Sequence, residues 1–173
     1  MSKRRIFRAV GLAAVLVAAP ALGVQSASAG QVGGGGKPSP RTFVESGLPY
    51  TFAAGDACDF AVTLSEVENN EFARTFPNGN TLITGRLVVS VTNDATGESV
   101  VRNVSGPVLI TTGPSGETVV VLSGSSLSPV FAGNDDTGTV GQGLFIFHGP
   151  TVFTDSQLTR VSGSVEDLCT TLG

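Results

Sequence analysis

"TLITGRLVVSVTN", residues 81–93, sets the character of the chain: Ile83, Gly85, Leu87, Val89 and Val91 fall on one face of an extended strand. That period of two is the mark of a half-buried β-strand, because successive side chains point to opposite faces. The pattern repeats upstream in "CDFAVTLS" (58–65), where Cys58, Phe60, Val62 and Leu64 alternate with Asp59, Ala61, Thr63 and Ser65. Downstream, "SVVRNVSGPVLITT" (99–112) reads as one long strand broken at Gly106-Pro107, since proline cannot donate to a central ladder. "EFARTF" (71–76), "ETVVVLSG" (117–124), "LFIFH" (144–148), "TVFTD" (151–155) and "SQLTRVSGSVEDLC" (156–169) complete the set, and 125–143 reads as a looser stretch.

Turn signals separate these runs. "PNGN" (77–80), "DATGE" (94–98) and "GPSG" (113–116) supply glycine and asparagine where positive φ is needed. No segment carries a helical apolar stripe of more than two turns. Short strands at this spacing predict a single all-β domain over residues 51–173, about 120 residues, enough for one core. The expected architecture is an antiparallel β-barrel or strongly curled sheet, with a β-sandwich as the alternative.

The N-terminus reads as an export signal. Lys3, Arg4, Arg5 and Arg8 precede the apolar run Ala9–Leu22, and "ASA" (27–29) predicts a cut after Ala29. Around "RRIF" (4–7), Lys3 and Arg8 depart from the twin-arginine pattern, so ordinary secretion is favoured. Residues 30–50, opening on "GQVGGGGKPSP", read as a Gly/Pro-rich flexible linker. The mature chain then holds 6 Lys+Arg against 14 Asp+Glu, a net charge of −8. Such a chain is repelled by phosphate backbones and anionic lipid, so nucleic-acid partners and membrane-surface functions are not expected, whereas cations are attracted. The C-terminus shows no hydrophobic tail or basic cluster, so no membrane anchor is expected in the mature form.

Cys58 and Cys169 are the two cysteines of the chain. An even count in an exported protein reads as a disulfide. The bond makes the first core strand and the last neighbours, or nearly so, and a closed barrel would pair those same two strands. "LFIF" is apolar on both faces, with Phe145 and Phe147 opposite Leu144 and Ile146. One face therefore needs cover, from the N-terminal segment, from a long loop, or by self-association through Leu144–Phe147.

Few residues suggest chemistry, and no catalytic residue is assigned. Glu66 and Glu68 continue the parity of Val62 and Leu64, so in a barrel both carboxylates would reach one mouth and contact a ligand or cation. Asp135 and Asp136 in "GNDDTG" offer oxygen ligands from a turn. His148, the lone histidine, stands at a strand end and has no nucleophile-elbow motif to serve. Two Cys and one His are too few for a zinc site, and no metal or cofactor is expected. "NVS" at Asn103 matches a glycosylation sequon.

"CDF", "VTNDATGESVVRNVSGP", "GQGLFIFHGPTVF" and "GSVEDLC", in that order across Cys58–Leu172, resemble a family of small secreted actinobacterial proteins of unassigned activity. The resemblance implies secretion and an all-β domain and supplies no site residues. The expected function is extracellular binding or surface interaction by a non-enzymatic β-domain. The alternatives are a small-ligand-binding barrel and a hydrolase-type enzyme built on Glu66 and Glu68 or on His148.

Overall fold

A computed structural model of the protein describes residues 36–173. The expected export signal, residues 1–29, and the start of the expected linker lie outside the described residues. The linker's remainder is partly built into the domain. Strand β1 (Thr42–Phe43) pairs with a later strand, Val44 and Ser46 are buried, and strand β2 begins at Tyr50 and runs to Phe52.

Six long strands follow, each bent into two segments. In chain order they are β3 (Val62–Asn69) with β4 (Phe72–Thr75), β5 (Thr81–Thr84) with β6 (Leu87–Asn93), and β7 (Ser99–Asn103) with β8 (Val108–Thr112). Then come β9 (Thr118–Leu122) with β10 (Ser125–Val130), β11 (Gly143–His148) with β12 (Thr151–Thr154), and β13 (Gln157–Val161) with β14 (Ser164–Asp167). Helix α1 (Leu168–Leu172) ends the chain. Five of the six bends contain a glycine, the residue that tolerates a sharp turn or a close backbone approach inside a strand. Gly85 shows why: its φ is +149°, and a Cβ there would lie 2.1 Å from the carbonyl oxygen of Asn70.

All ladders between strands are antiparallel. On one side of the bends, β1-β4-β5-β8-β9-β12-β13 form a seven-stranded sheet. On the other side the long strands part into a four-stranded sheet, β2-β3-β6-β7, and a three-stranded sheet, β10-β11-β14. The parting falls between β7 and β10. Their continuations β8 and β9 are paired, and Gly106 N–H still donates to Ser125 C=O at 2.8 Å, but beyond that no ladder joins them. Proline suits this place: Pro129 lies on β10, an edge strand, where a missing N–H costs no ladder bond.

These sheets do not close into a barrel among the described residues, because β1 and β13 remain the two edges of the seven-stranded sheet. The architecture is an open, bent, layered antiparallel β-fold. The disulfide Cys58–Cys169 is formed, with Cα atoms 5.3 Å apart. It does not join the first and last strands, as the alternation had implied. Cys58 lies in the turn-rich loop ahead of β3, and Cys169 lies in α1. Asp167 caps that helix by accepting from Cys169 N–H (2.8 Å) and Thr170 N–H (3.1 Å). The stretch 125–143, expected to be loose, supplies β10.

Two hydrophobic clusters fill the molecule, and β11 has one on each face. Leu144 and Ile146 pack with Val62, Leu64, Val89 and Val91 of the four-stranded sheet. Phe145 and Phe147 pack with Ile83, Val120, Leu122 and Phe153 of the seven-stranded sheet. The cover for the doubly apolar strand is therefore chiefly the chain's own second sheet. All four side chains are buried on a central strand, so self-association through Leu144–Phe147 has no exposed surface to use.

Candidate functional site

Where the long strands bend from one sheet into another, the layers diverge, and side chains do not fill the wedge between them. A cavity of about 70 Å³ lies there. Its apolar wall draws on both clusters: Leu64 and Val89 come from the first, Val108 and Leu122 from the second. The segment ahead of β2 closes one side. Val44, Ser46 and Leu48 face inward and line the cavity, while Glu45 and Gly47 are exposed. This strap is anchored at the β3–β4 bend. Asn69 Nδ2 donates to the Val44 carbonyl at 2.9 Å, and Val44 N–H donates to the Glu71 carbonyl at 3.0 Å.

Three polar residues lie in this apolar wall: Ser46, Glu71 and Ser126. Glu71 sits at the bend, with its N–H bonded to Asn69 Oδ1 at 3.0 Å. Its residue is only 6% exposed, and no group among the described residues hydrogen-bonds or ion-pairs with its carboxyl. Burial pushes that carboxyl above the ordinary carboxylate range, because the charged form loses water and gains no partner. Ser126, on β10, is 5% exposed, and its hydroxyl has no partner either. Ser46 is engaged: its hydroxyl donates to Glu66 Oε2 and accepts from Leu48 N–H at 3.3 Å. Few fully buried polar atoms in folded proteins lack a partner, so the enclosed Ser126 hydroxyl, beside a largely buried carboxyl in the same wall, calls for a physical account.

The carboxylates expected together are held apart. A β-bulge at Val67 interrupts the alternation, so Glu66 opposes Val89 while Glu68 opposes the next residue, Val88. Consecutive partners lie on opposite faces, and the two glutamates therefore diverge. Glu66 bonds Ser46 beside the cavity, whereas Glu68 pairs with Arg86 at 2.7 Å on the outside. His148 is exposed and lies 3.1 Å from Ser125 Oγ through its Nδ1. It shares no hydrogen-bond partner with either glutamate.

Asp135 is taken up by its own loop. Its carboxylate accepts from Thr137 N–H (2.9 Å), Thr137 Oγ1 (2.6 Å), Val140 N–H (2.9 Å) and Gly141 N–H (2.9 Å). Burial opposes its ionisation, but these donors outweigh that and hold the carboxyl well below the usual range. Three backbone N–H groups and one hydroxyl thus occupy its oxygens. Asp136 directs its N–H to the Leu158 carbonyl at 3.1 Å. Among the described residues, no three His, Cys, Asp or Glu side chains gather as a metal would require.

Sequence reasoning missed Glu71 and Ser126. Glu71 opens "EFARTF" next to the polar run "ENN", and nothing local marks it as buried. Ser126 falls in the stretch read as loose. Comparison with protein-family models, curated proteins and solved structures returned no match.

Proposed function

We propose that this protein is secreted and acts outside the cell by binding a small ligand in the cavity at the strand bends. The observation that carries this reading is that the enclosed, unpartnered Ser126 hydroxyl and the buried residue Glu71, whose carboxyl has no partner among the described residues, line one mostly apolar cavity. Ligand sites combine apolar walls with a few polar groups in this way, and a carboxyl perturbed by burial is a further mark of one. At about 70 Å³ the cavity suits a molecule of a few heavy atoms. The export signal expected at residues 1–29, the disulfide and the likeness to small secreted actinobacterial proteins support the compartment. The curled, sandwich-like layering supports binding between sheets rather than inside a barrel. Binding without turnover is the reading, since Glu66, Glu68 and His148 keep separate partners.

Native mass spectrometry of the mature protein, purified from its own culture medium, tests this proposal together with an amide NMR titration by small apolar probes. The expected result is an oxidised chain beginning at Gly30, a bound small molecule released on denaturation, and probe-induced shifts at cavity residues. An apo chain whose cavity amides no probe moves would overturn it.

A further inference from the structure

We infer that the ligand is a short-chain alkylammonium ion, with Glu71 as its counter-ion and the Ser126 hydroxyl as a second acceptor. This inference rests on the binding reading above and narrows it to a chemical class.

The donor and acceptor inventory of the wall makes the choice. Among the described residues, no Lys, Arg, His, Asn or Gln side chain lines the cavity. Its polar groups are one carboxyl and two hydroxyls, and Ser46 already commits its proton to Glu66. One donor, the Ser126 O–H, stands against both carboxyl oxygens and the lone pairs of the hydroxyls, so acceptors outnumber donors and the ligand brings most of the donors. An ammonium group carries three N–H donors and no acceptor. It also supplies the positive charge that a buried, unpaired carboxylate lacks, which a neutral alcohol does not.

Charge at longer range agrees. Residues 36–173 hold 6 Lys+Arg and 14 Asp+Glu, so the field around the domain draws cations in and turns anions away. Glu66 holds the hydroxyl of Ser46, a wall residue, and so fixes that hydroxyl's proton away from the ligand. The rest of the wall sets the ligand's other end. Leu64, Leu87, Leu122 and Leu127 offer only hydrocarbon, and the small volume limits the chain to a few carbons.

The test is an amide NMR titration of the full mature protein near neutral pH with n-butylammonium, n-butanol and butyrate, run on the wild type and on Glu71→Gln. The substitution keeps the side-chain shape and removes the charge. The expected result is that n-butylammonium moves the amides of Ser46, Glu71 and Ser126 and binds more tightly than the other two probes. Glu71→Gln then weakens n-butylammonium about tenfold or more and weakens n-butanol less. Unchanged amide shifts of the strands away from the cavity show that the variant folds, and Ser126→Ala, which shortens the acceptor set by one, gives a smaller loss. Equal affinity of the wild type for n-butanol or butyrate, or undiminished n-butylammonium binding by Glu71→Gln, would overturn the ligand class and leave the binding reading standing. Silence of the cavity amides to all three probes would remove both.

Discussion

Glu71 and Asp135 are both acidic side chains, and their surroundings push them in opposite directions. Asp135 is ringed by four donors from its own loop and stays ionised far into acid. Glu71 has no donor among the described residues, and burial raises its folded-state value. The consequence for stability has a definite sign. A folded-state pKa above the unfolded one means that the native state binds more protons, so stability falls as pH rises. The loss begins at the unfolded glutamate value and is complete once pH has passed the folded one. Glu71→Gln removes the titrating group. Urea denaturation at about pH 4 and about pH 8 should therefore show the variant gaining on the wild type as pH rises. A difference between the two chains that stays constant with pH would contradict the burial assigned to Glu71.

Strand β11 shows how far a single element can be read. Its run of alternating Leu, Phe, Ile and Phe announces a strand buried on both faces, and both faces are buried. What covers the second face was not legible. Phe147 ↔ Ser126 and Phe147 ↔ Val165 pairings place it in the three-stranded sheet, while its ring meets Phe153 of the seven-stranded sheet at 6.3 Å between centroids. Phe147→Ala would open a void between these layers and is expected to cost about 3–5 kcal/mol in urea denaturation. A cost below about 1 kcal/mol would mean that the layers collapse onto each other or were never in contact. The bends are similar. Glycines inside strands signal a kink, but only the partner backbone shows which way the chain turns. The bulge at Val67 had no signal, and it moved Glu68 off the face that simple alternation assigns to it.

For the whole molecule, the decisive event is the parting of β7 from β10. A meander of six bent strands would otherwise continue one sheet around. Because it parts, the two smaller sheets fold over each other, β11 gains a core on either side, and the cavity is left at the bends. Arg102 on β7 and Glu166 on β14 bridge those sheets through contacts of 2.6–3.1 Å between guanidinium and carboxylate. The Arg102 guanidinium holds the Glu166 carboxyl below its ordinary value. The disulfide ties the loop ahead of β3 to the C-terminal helix across 111 positions, enclosing nearly the whole fold. In the chain-entropy picture a loop of that length stabilises the folded state by about 4–5 kcal/mol. Reduction should lower the urea midpoint accordingly, and an unchanged midpoint in the reduced protein would show that the staple constrains little.

By itself the sequence determined an all-β antiparallel domain, where its main turns fall, and a bonded cysteine pair. Those properties are local or combinatorial: side-chain alternation, glycine and asparagine at positive φ, and two thiols with no other partner. Tertiary structure alone decided that the sheet stays open, that the cysteines sit outside the strands, and that Glu71 and Ser126 face a common cavity. Each of these depends on how the layers stack and where the strands bend. A glutamate beside a polar run looks the same in sequence whether its corner faces water or the core.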